Sequence, residues 1–186
     1  MVHVRTRWFA AILLVVVFAA CSGDTPAATF VQAQLAHKER GQIGPRYLIA
    51  QGPLPHGTLW LLIAHRRIRN QMCVGFAWHL ENPESGTYEG TCPAHEKPRP
   101  VIHNGVARPL NTEELFYVYG LIKDTDHAEK VRVKRQAATQ EIKLIRHPSF
   151  PGDAFYVGKL ELPELPETIE LVTADGKVVR SEEFRW

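Results

Sequence analysis

The residues best suited to chemistry in this chain are its three cysteines, nine histidines and twenty acidic side chains. Cys92-Pro-Ala-His95 has the C-x2-H spacing of a ligand pair, and His79 follows Cys73 on the same stretch. Cys73, His79, Cys92 and His95 are therefore a candidate tetrahedral set for zinc, although one such pair without a second is a weak signature. Glu81, Glu84 and Glu89 lie close together and could serve as a carboxylate pair on a glycosidic bond. Solvated loop acids are the commoner use of such residues. Asp124-Thr-Asp126 begins like a calcium loop, but Glu129 stands where that loop needs glycine and Arg135 where it needs its last carboxylate. A solvated turn is expected there. The sequence contains no G-x-S-x-G, H-E-x-x-H, G-x4-G-K-[ST] or G-x-G-x-x-G. His37, His56, His65, His79, His95, His103, His127 and His147 stand singly, as surface and loop histidines do. No catalytic residue and no cofactor is expected.

The N-terminus reads as an address. Arg5 and Arg7 precede an apolar run from Trp8 to Ala20, which ends at Cys21. Thirteen apolar residues rise about 20 Å as a helix, short of a ~30 Å hydrocarbon core. A positive segment followed by a short apolar one has the form of a secretory signal peptide over residues 1–20. Phe18-Ala-Ala-Cys21 resembles the lipobox of bacterial lipoproteins, with Phe18 where leucine is usual. That resemblance implies cleavage before Cys21, acylation of Cys21 (palmitate among the chains) and attachment to the outer face of the cell membrane, or to the outer membrane of a two-membrane cell. Two acyl chains would hold such a protein firmly, at ~0.8 kcal/mol per buried CH2. Small residues at Ala20 and Ser22 also suit ordinary cleavage, which would leave a freely secreted protein. Residues 21–45 are read as the lipidated cysteine and a tether. A short helix from Pro26, capped by Thr25 and ended by Gly41, is the alternative for its second half.

With Cys21 acylated, Cys73 and Cys92 are the one remaining internal pair, and an oxidising compartment favours their disulfide over a thiolate metal site. Closing a loop of that size is worth ~3 kcal/mol in the chain-entropy picture. Charge excludes a further class. The 22 Lys+Arg, less Arg5 and Arg7, leave 20 against 20 Asp+Glu, so the processed chain is neutral and nucleic acid is not an expected partner.

Two surface features suit binding. Lys130-Val-Arg-Val-Lys134 alternates, placing Lys130, Arg132 and Lys134 on one face as a candidate anion-binding stripe for a wall polymer or lipid headgroups. A soluble outer face with edge-protecting lysines is the plainer and favoured account of the same pattern. Tyr88, placed in the loop expected between Glu81 and Gly90, is the aromatic best suited to touch a ligand. Trp60, Trp78, Tyr117 and Tyr119 lie among apolar neighbours and read as core.

The elements that must position these residues are strands. Thr58 to His65 is apolar on both faces, and Met72 to Leu80 alternates large residues (Met72, Val74, Phe76, Trp78) with small or polar ones (Cys73, Gly75, Ala77, His79). That contrast predicts one core face and one closely covered face. Residues 91–110 read as loop with short extended pieces. Further strands are expected at 114–122, 130–135, 139–146, 154–162 and 168–173, and the last pairs through Ala174-Asp-Gly-Lys177 with 177–184. Hydrophobic residues at 45% and charged ones at 23% are ordinary for a folded domain. The class is all-β: an immunoglobulin-like or related β-sandwich over residues 46–186, with two small β-subdomains meeting near residue 110 as the alternative.

The segment Gly52-x4-Gly57-Thr-x-Trp60-x-Leu62-x-Ala64, with Cys73, Tyr119-Gly120-Leu, Lys130-Val-Arg-Val133, Phe155 and Ala174-Asp-Gly-Lys-Val178, is similar to secreted bacterial β-domains of unknown function. The resemblance implies secretion and a β fold and carries no catalytic residue. Together these features lead to the expectation of a lipid-anchored extracytoplasmic protein that acts as a non-catalytic binding or interaction module at the cell envelope. An envelope protein or an anionic wall polymer would be its partner. The alternative is an envelope hydrolase or metal-handling protein built on residues 73–103.

Overall fold

A computed structural model describes residues 26–54, 59–68, 71–79, 87–92, 102–107, 115–123, 125, 127–136, 138–161 and 166–184. In chain order they form α1 (Pro26–Ala36), β1 (Gln42–Pro53), β2 (Leu59–Arg67), β3 (Gln71–His79), β4 (Thr87–Thr91), β5 (Ile102–Ala107), β6 (Leu115–Ile122), β7 (Ala128–Lys134), β8 (Thr139–Lys143), β9 (Ala154–Glu161), β10 (Thr168–Thr173) and β11 (Val178–Glu183). The strands make three sheets: β1-β2-β3-β4, β5-β6-β9 and β11-β10-β7-β8. Every pairing is antiparallel. The fold is all-β and sandwich-like.

Side-chain alternation sets the order of the layers. On β3, Met72, Val74, Phe76 and Trp78 face Tyr117, Tyr119 and Leu121 of β6 and Phe155 of β9 in one apolar cluster. The other face of β6 and β9, with Val118, Ile122, Ala154, Tyr156 and Leu160, packs on Val131, Val133, Ile142, Ile169 and Leu171 of the third sheet. The β5-β6-β9 sheet is thus the middle layer, covered on both sides, and the run Tyr117-Val-Tyr-Gly-Leu-Ile122 is buried throughout. A strand apolar on both faces is what such a position requires. The Phe76 ring stacks on Tyr117 at 5.1 Å and on Tyr119 at 5.6 Å; Trp78, Tyr117 and Tyr119 are core as read, and Trp60 packs partly buried against them.

The small face of β3 is closely covered, as its composition predicts, and the cover is α1. Phe30 is buried with Leu61, Ile63 and Ala77, while Val31 and Leu35 pack alongside. Part of the stretch expected to be a tether is therefore a helix held against the first sheet. α1 also stops five residues short of the expected glycine. It closes at His37 N–H donating to Ala33 O at 3.0 Å, and Gly41, at φ 79°, instead turns the chain into β1. The hairpin at 174–177 forms as expected, with Gly176 at φ 86°. Two further differences lie in the region read as loop. Thr87–Thr91 pairs with β3, and Ile102–Ala107 pairs with β6 over six residues. Pairing on a sheet edge overrides the weak strand preference of Gly90, Asn104 and Gly105.

Candidate functional site

Among the described residues, a cluster of polar side chains that includes the buried Arg46 and His65 lies beneath the C-terminal end of α1, and its residues come from five elements. β1 contributes Arg46, which is buried although it is an arginine. Its Nη2 donates to Glu39 Oε1 at 2.5 Å, its Nη1 to Gln34 O at 3.1 Å and its Nε to Gln42 Oε1 at 3.5 Å. A cation on the last carbonyls of a helix satisfies acceptors that have no partner within the helix and complements its negative end. Glu39 is held in place by Gln42, whose N–H donates to Glu39 O at 3.0 Å and whose Oε1 accepts from Glu39 N–H at 3.1 Å.

β2 contributes His65. It is wholly buried, and neither ring nitrogen makes a hydrogen bond. Nε2 lies 3.6 Å from Glu39 Oε2. Burial, opposed by the Glu39 carboxylate and reinforced by the Arg46 and Arg67 guanidinium groups, holds the imidazole below its ordinary value. His65 is therefore a neutral ring in a polar setting with unused hydrogen-bonding capacity, which costs stability unless the site uses it.

β3 and the end of β4 complete the group with sulfur. Cys73 stands directly opposite His65 in the β2–β3 register and is fully buried. It is placed as a disulfide with Cys92, which follows β4, with their Cα atoms 4.3 Å apart. Arg67, at the end of β2, puts Nη1 3.8 Å from Cys92 Sγ and donates through Nη2 to Arg40 O at 2.9 Å. Gln71 Nε2 donates to Cys92 O at 3.4 Å. A carboxylate, a neutral imidazole, two guanidinium groups and a sulfur pair thus share one end of one sheet. Chemically they can move a proton and stabilise a charged sulfur.

Cys73 and Cys92 are placed as a disulfide-capable pair. His79 lies six residues beyond Cys73 on β3, about 20 Å along an extended strand, where the Phe30 ring stacks on it at 4.9 Å. His79 is therefore not brought to the two cysteines, and His95 lies outside the described residues. Among the described residues no group of three or more His, Cys, Asp or Glu is placed to hold a metal ion. Cys21, Glu81, Glu84, Asp124 and Asp126 also lie outside them. Tyr88 is on β4, opposite Ala77 of β3, and not in a loop.

The stripe on β7 faces outward, and each cation has an acidic neighbour. Lys130 Nζ donates to Glu141 Oε2 at 2.7 Å, Arg132 reaches Glu141 at 3.0 Å and Glu170 at 3.3 Å, and Lys134 pairs with Glu170. The hydrogen bond from Lys130, with that from Arg132 next, holds the Glu141 carboxyl below its ordinary value. The arrangement is a cross-strand charge ladder over β8-β7-β10. An incoming anion would have to compete with Glu141 and Glu170.

Sequence reasoning passed over Glu39, Arg46, His65 and Arg67. The available signal was parity: His65 and Arg67 share the face of Leu61 and Ile63, and the β2–β3 turn brings that face beside Cys73. No protein-family model, curated protein or solved structure matches the chain.

Proposed function

We propose that the chain is a lipid-anchored extracytoplasmic protein, fixed to a membrane through acylated Cys21, and that its layered body is a non-catalytic binding module for a protein of the cell envelope. The observation that carries this reading is the placement of Cys73 and Cys92 as a bonded pair across β3 and β4, a use of cysteine that belongs to oxidising compartments. The docking of α1 adds to it. Only five residue steps separate Cys21 from Pro26, at most about 18 Å of chain, so an anchor at Cys21 holds the body close to the bilayer. The paired charges on β7 favour a protein partner over an anionic polymer.

The experiment has two arms. Cells expressing the full chain are fed an alkyne fatty acid, and wild type is compared with Cys21→Ser. Label on wild type that disappears in the variant is expected; equal labelling, or none on either, overturns the anchor. The detergent-solubilised full chain is then used to draw partners from envelope extract at low and high salt. Capture of one defined protein that persists in salt is expected. Capture of polymer alone, lost in salt, would return the role to the basic stripe, and capture of nothing overturns the binding module.

A further inference from the structure

The two sulfurs of Cys73–Cys92 sit in unequal surroundings. Cys73 is wholly buried, whereas Cys92 is partly exposed where the chain leaves β4. The Arg67 guanidinium is 3.8 Å from Cys92 Sγ and is held there by its second hydrogen bond to Arg40 O. A fixed cation beside a sulfur favours its thiolate, both for an attacking anion and for a departing one. On the buried side, His65 stands opposite Cys73 with no hydrogen bond on either nitrogen, and Glu39 lies 3.6 Å from Nε2. A disulfide that serves only as a staple needs neither a cation on its exposed sulfur nor, beside the other, a buried imidazole without a hydrogen bond.

We propose that Cys73–Cys92 is a thiol–disulfide exchange site for a dithiol reductant, entered at Cys92, with Arg67 steadying charge on that sulfur and His65 managing the proton of Cys73. This goes beyond the envelope-binding reading and does not rest on Cys21. In the first step a thiolate of the reductant attacks Cys92 Sγ. A mixed disulfide forms, the Cys73–Cys92 bond breaks, and Cys73 leaves with the electron pair and takes a proton through His65. In the second step the reductant's other thiolate attacks its own first sulfur and expels the Cys92 thiolate beside Arg67. Two electrons pass from the dithiol to this chain. The reductant becomes a disulfide; of the two protons lost from its thiols, one ends on Cys73 and the other goes to water, with Cys92 left as the thiolate. The result unties β4 from β3 at the point where β4 ends.

The test uses the full chain with dithiothreitol and a thioredoxin-type dithiol protein as reductants, and follows each cysteine by mass spectrometry after alkylation. In the reduced protein, Cys92 is expected to alkylate at least tenfold faster than Cys73. Its thiolate should titrate about one unit or more below the ordinary ~8.5. Arg67→Gln should return Cys92 to the ordinary value and slow opening of the disulfide several-fold, while Arg67→Lys, which keeps the charge, recovers most of both. His65→Gln should slow opening and leave the Cys92 pH profile in place. Opening rates and a Cys92 titration indifferent to Arg67→Gln overturn the proposal. So does reduction that proceeds only at the rate of global unfolding in urea, a control that separates a misfolded variant from a chemically impaired one.

Discussion

Two regions of this molecule bring guanidinium groups and carboxylates together, and they do it to different ends. Beneath α1, Arg46 is enclosed by Glu39, Gln34 and Gln42, and its side chain has no exposure. On the third sheet, Lys130, Arg132 and Lys134 meet Glu141, which is 43% exposed, and Glu170, which is buried beneath them. Water makes the Glu141 end of the ladder replaceable, because solvent can hydrate either member when the other is removed. In the inner group Arg46 and His65 are enclosed and Glu39 is 27% exposed, so removing one member leaves its partners with little access to water. The buried set specifies where α1 sits. The exposed set keeps an outer face soluble.

That contrast is testable by breaking one member of each region. The largest effect is expected from Arg46→Leu, which leaves Glu39 and the Gln34 carbonyl of α1 without this donor. A loss of about 3–5 kcal/mol in urea unfolding is anticipated for a broken buried pair. A loss comparable to that of a surface pair would mean that Glu39 is rehydrated and the region is not a closed centre.

The third sheet should be sensitive from beneath its charges. Gly158 of β9 lies under β8, and a Cβ placed on it would stand 2.3 Å from Ile142 Cδ1. Gly158→Ala is expected to cost about 1–3 kcal/mol through overpacking. Equal stability of this variant and wild type would show that Ile142 repacks freely, and would weaken the claim that this sheet is held by its apolar face.

A smaller effect is expected from acid. His65 binds its proton less readily when folded than when unfolded, so the unfolded chain gains protons first as pH falls through the ordinary value near 6.5. The contribution of the neutral ring is present above that pH and declines below it. The urea midpoint of wild type should drop between pH 7 and pH 5.5, and the drop should be shallower in His65→Gln. Parallel curves for the two proteins would place the acid sensitivity elsewhere. The smallest effect belongs to Glu141→Gln, which should leave the unfolding midpoint within error at moderate salt; a clear loss would mean that the ladder is a structural network.

Much of the fold was legible in alternation. Met72 to Trp78 announced two unlike faces, and Val131 and Val133 announced the inward side of β7. Asp175-Gly176 marked a turn that Gly176 makes at positive φ. The middle strand β6 was expected as a strand over 114–122, without its place between two layers. What escaped was set by contacts remote in sequence. β5 is a strand because β6 offers it an edge, although Asn104 and Gly105 argue locally for a turn. α1 has a thin apolar stripe that makes sense only against Ala77 and Ile63. Half of the candidate site could be read: the two cysteines could be paired by elimination once Cys21 was set apart. The other half could not, because residues 39, 46, 65 and 67 meet only after β1 and β2 have paired and α1 has folded over them. The lone-histidine pattern that made His65 look like a surface residue carries no information about that cover.

The position of α1 also has a mechanical consequence. The helix runs in the same direction as β2, with Phe30 over the His79 end of the sheet and Gln34 clamped by Arg46 toward the other. Tension drawn from the N-terminal side of Pro26 therefore loads these contacts one after another, as when a strip is peeled. The Phe30 contact yields first, and the polar clamp at the far end carries the load last.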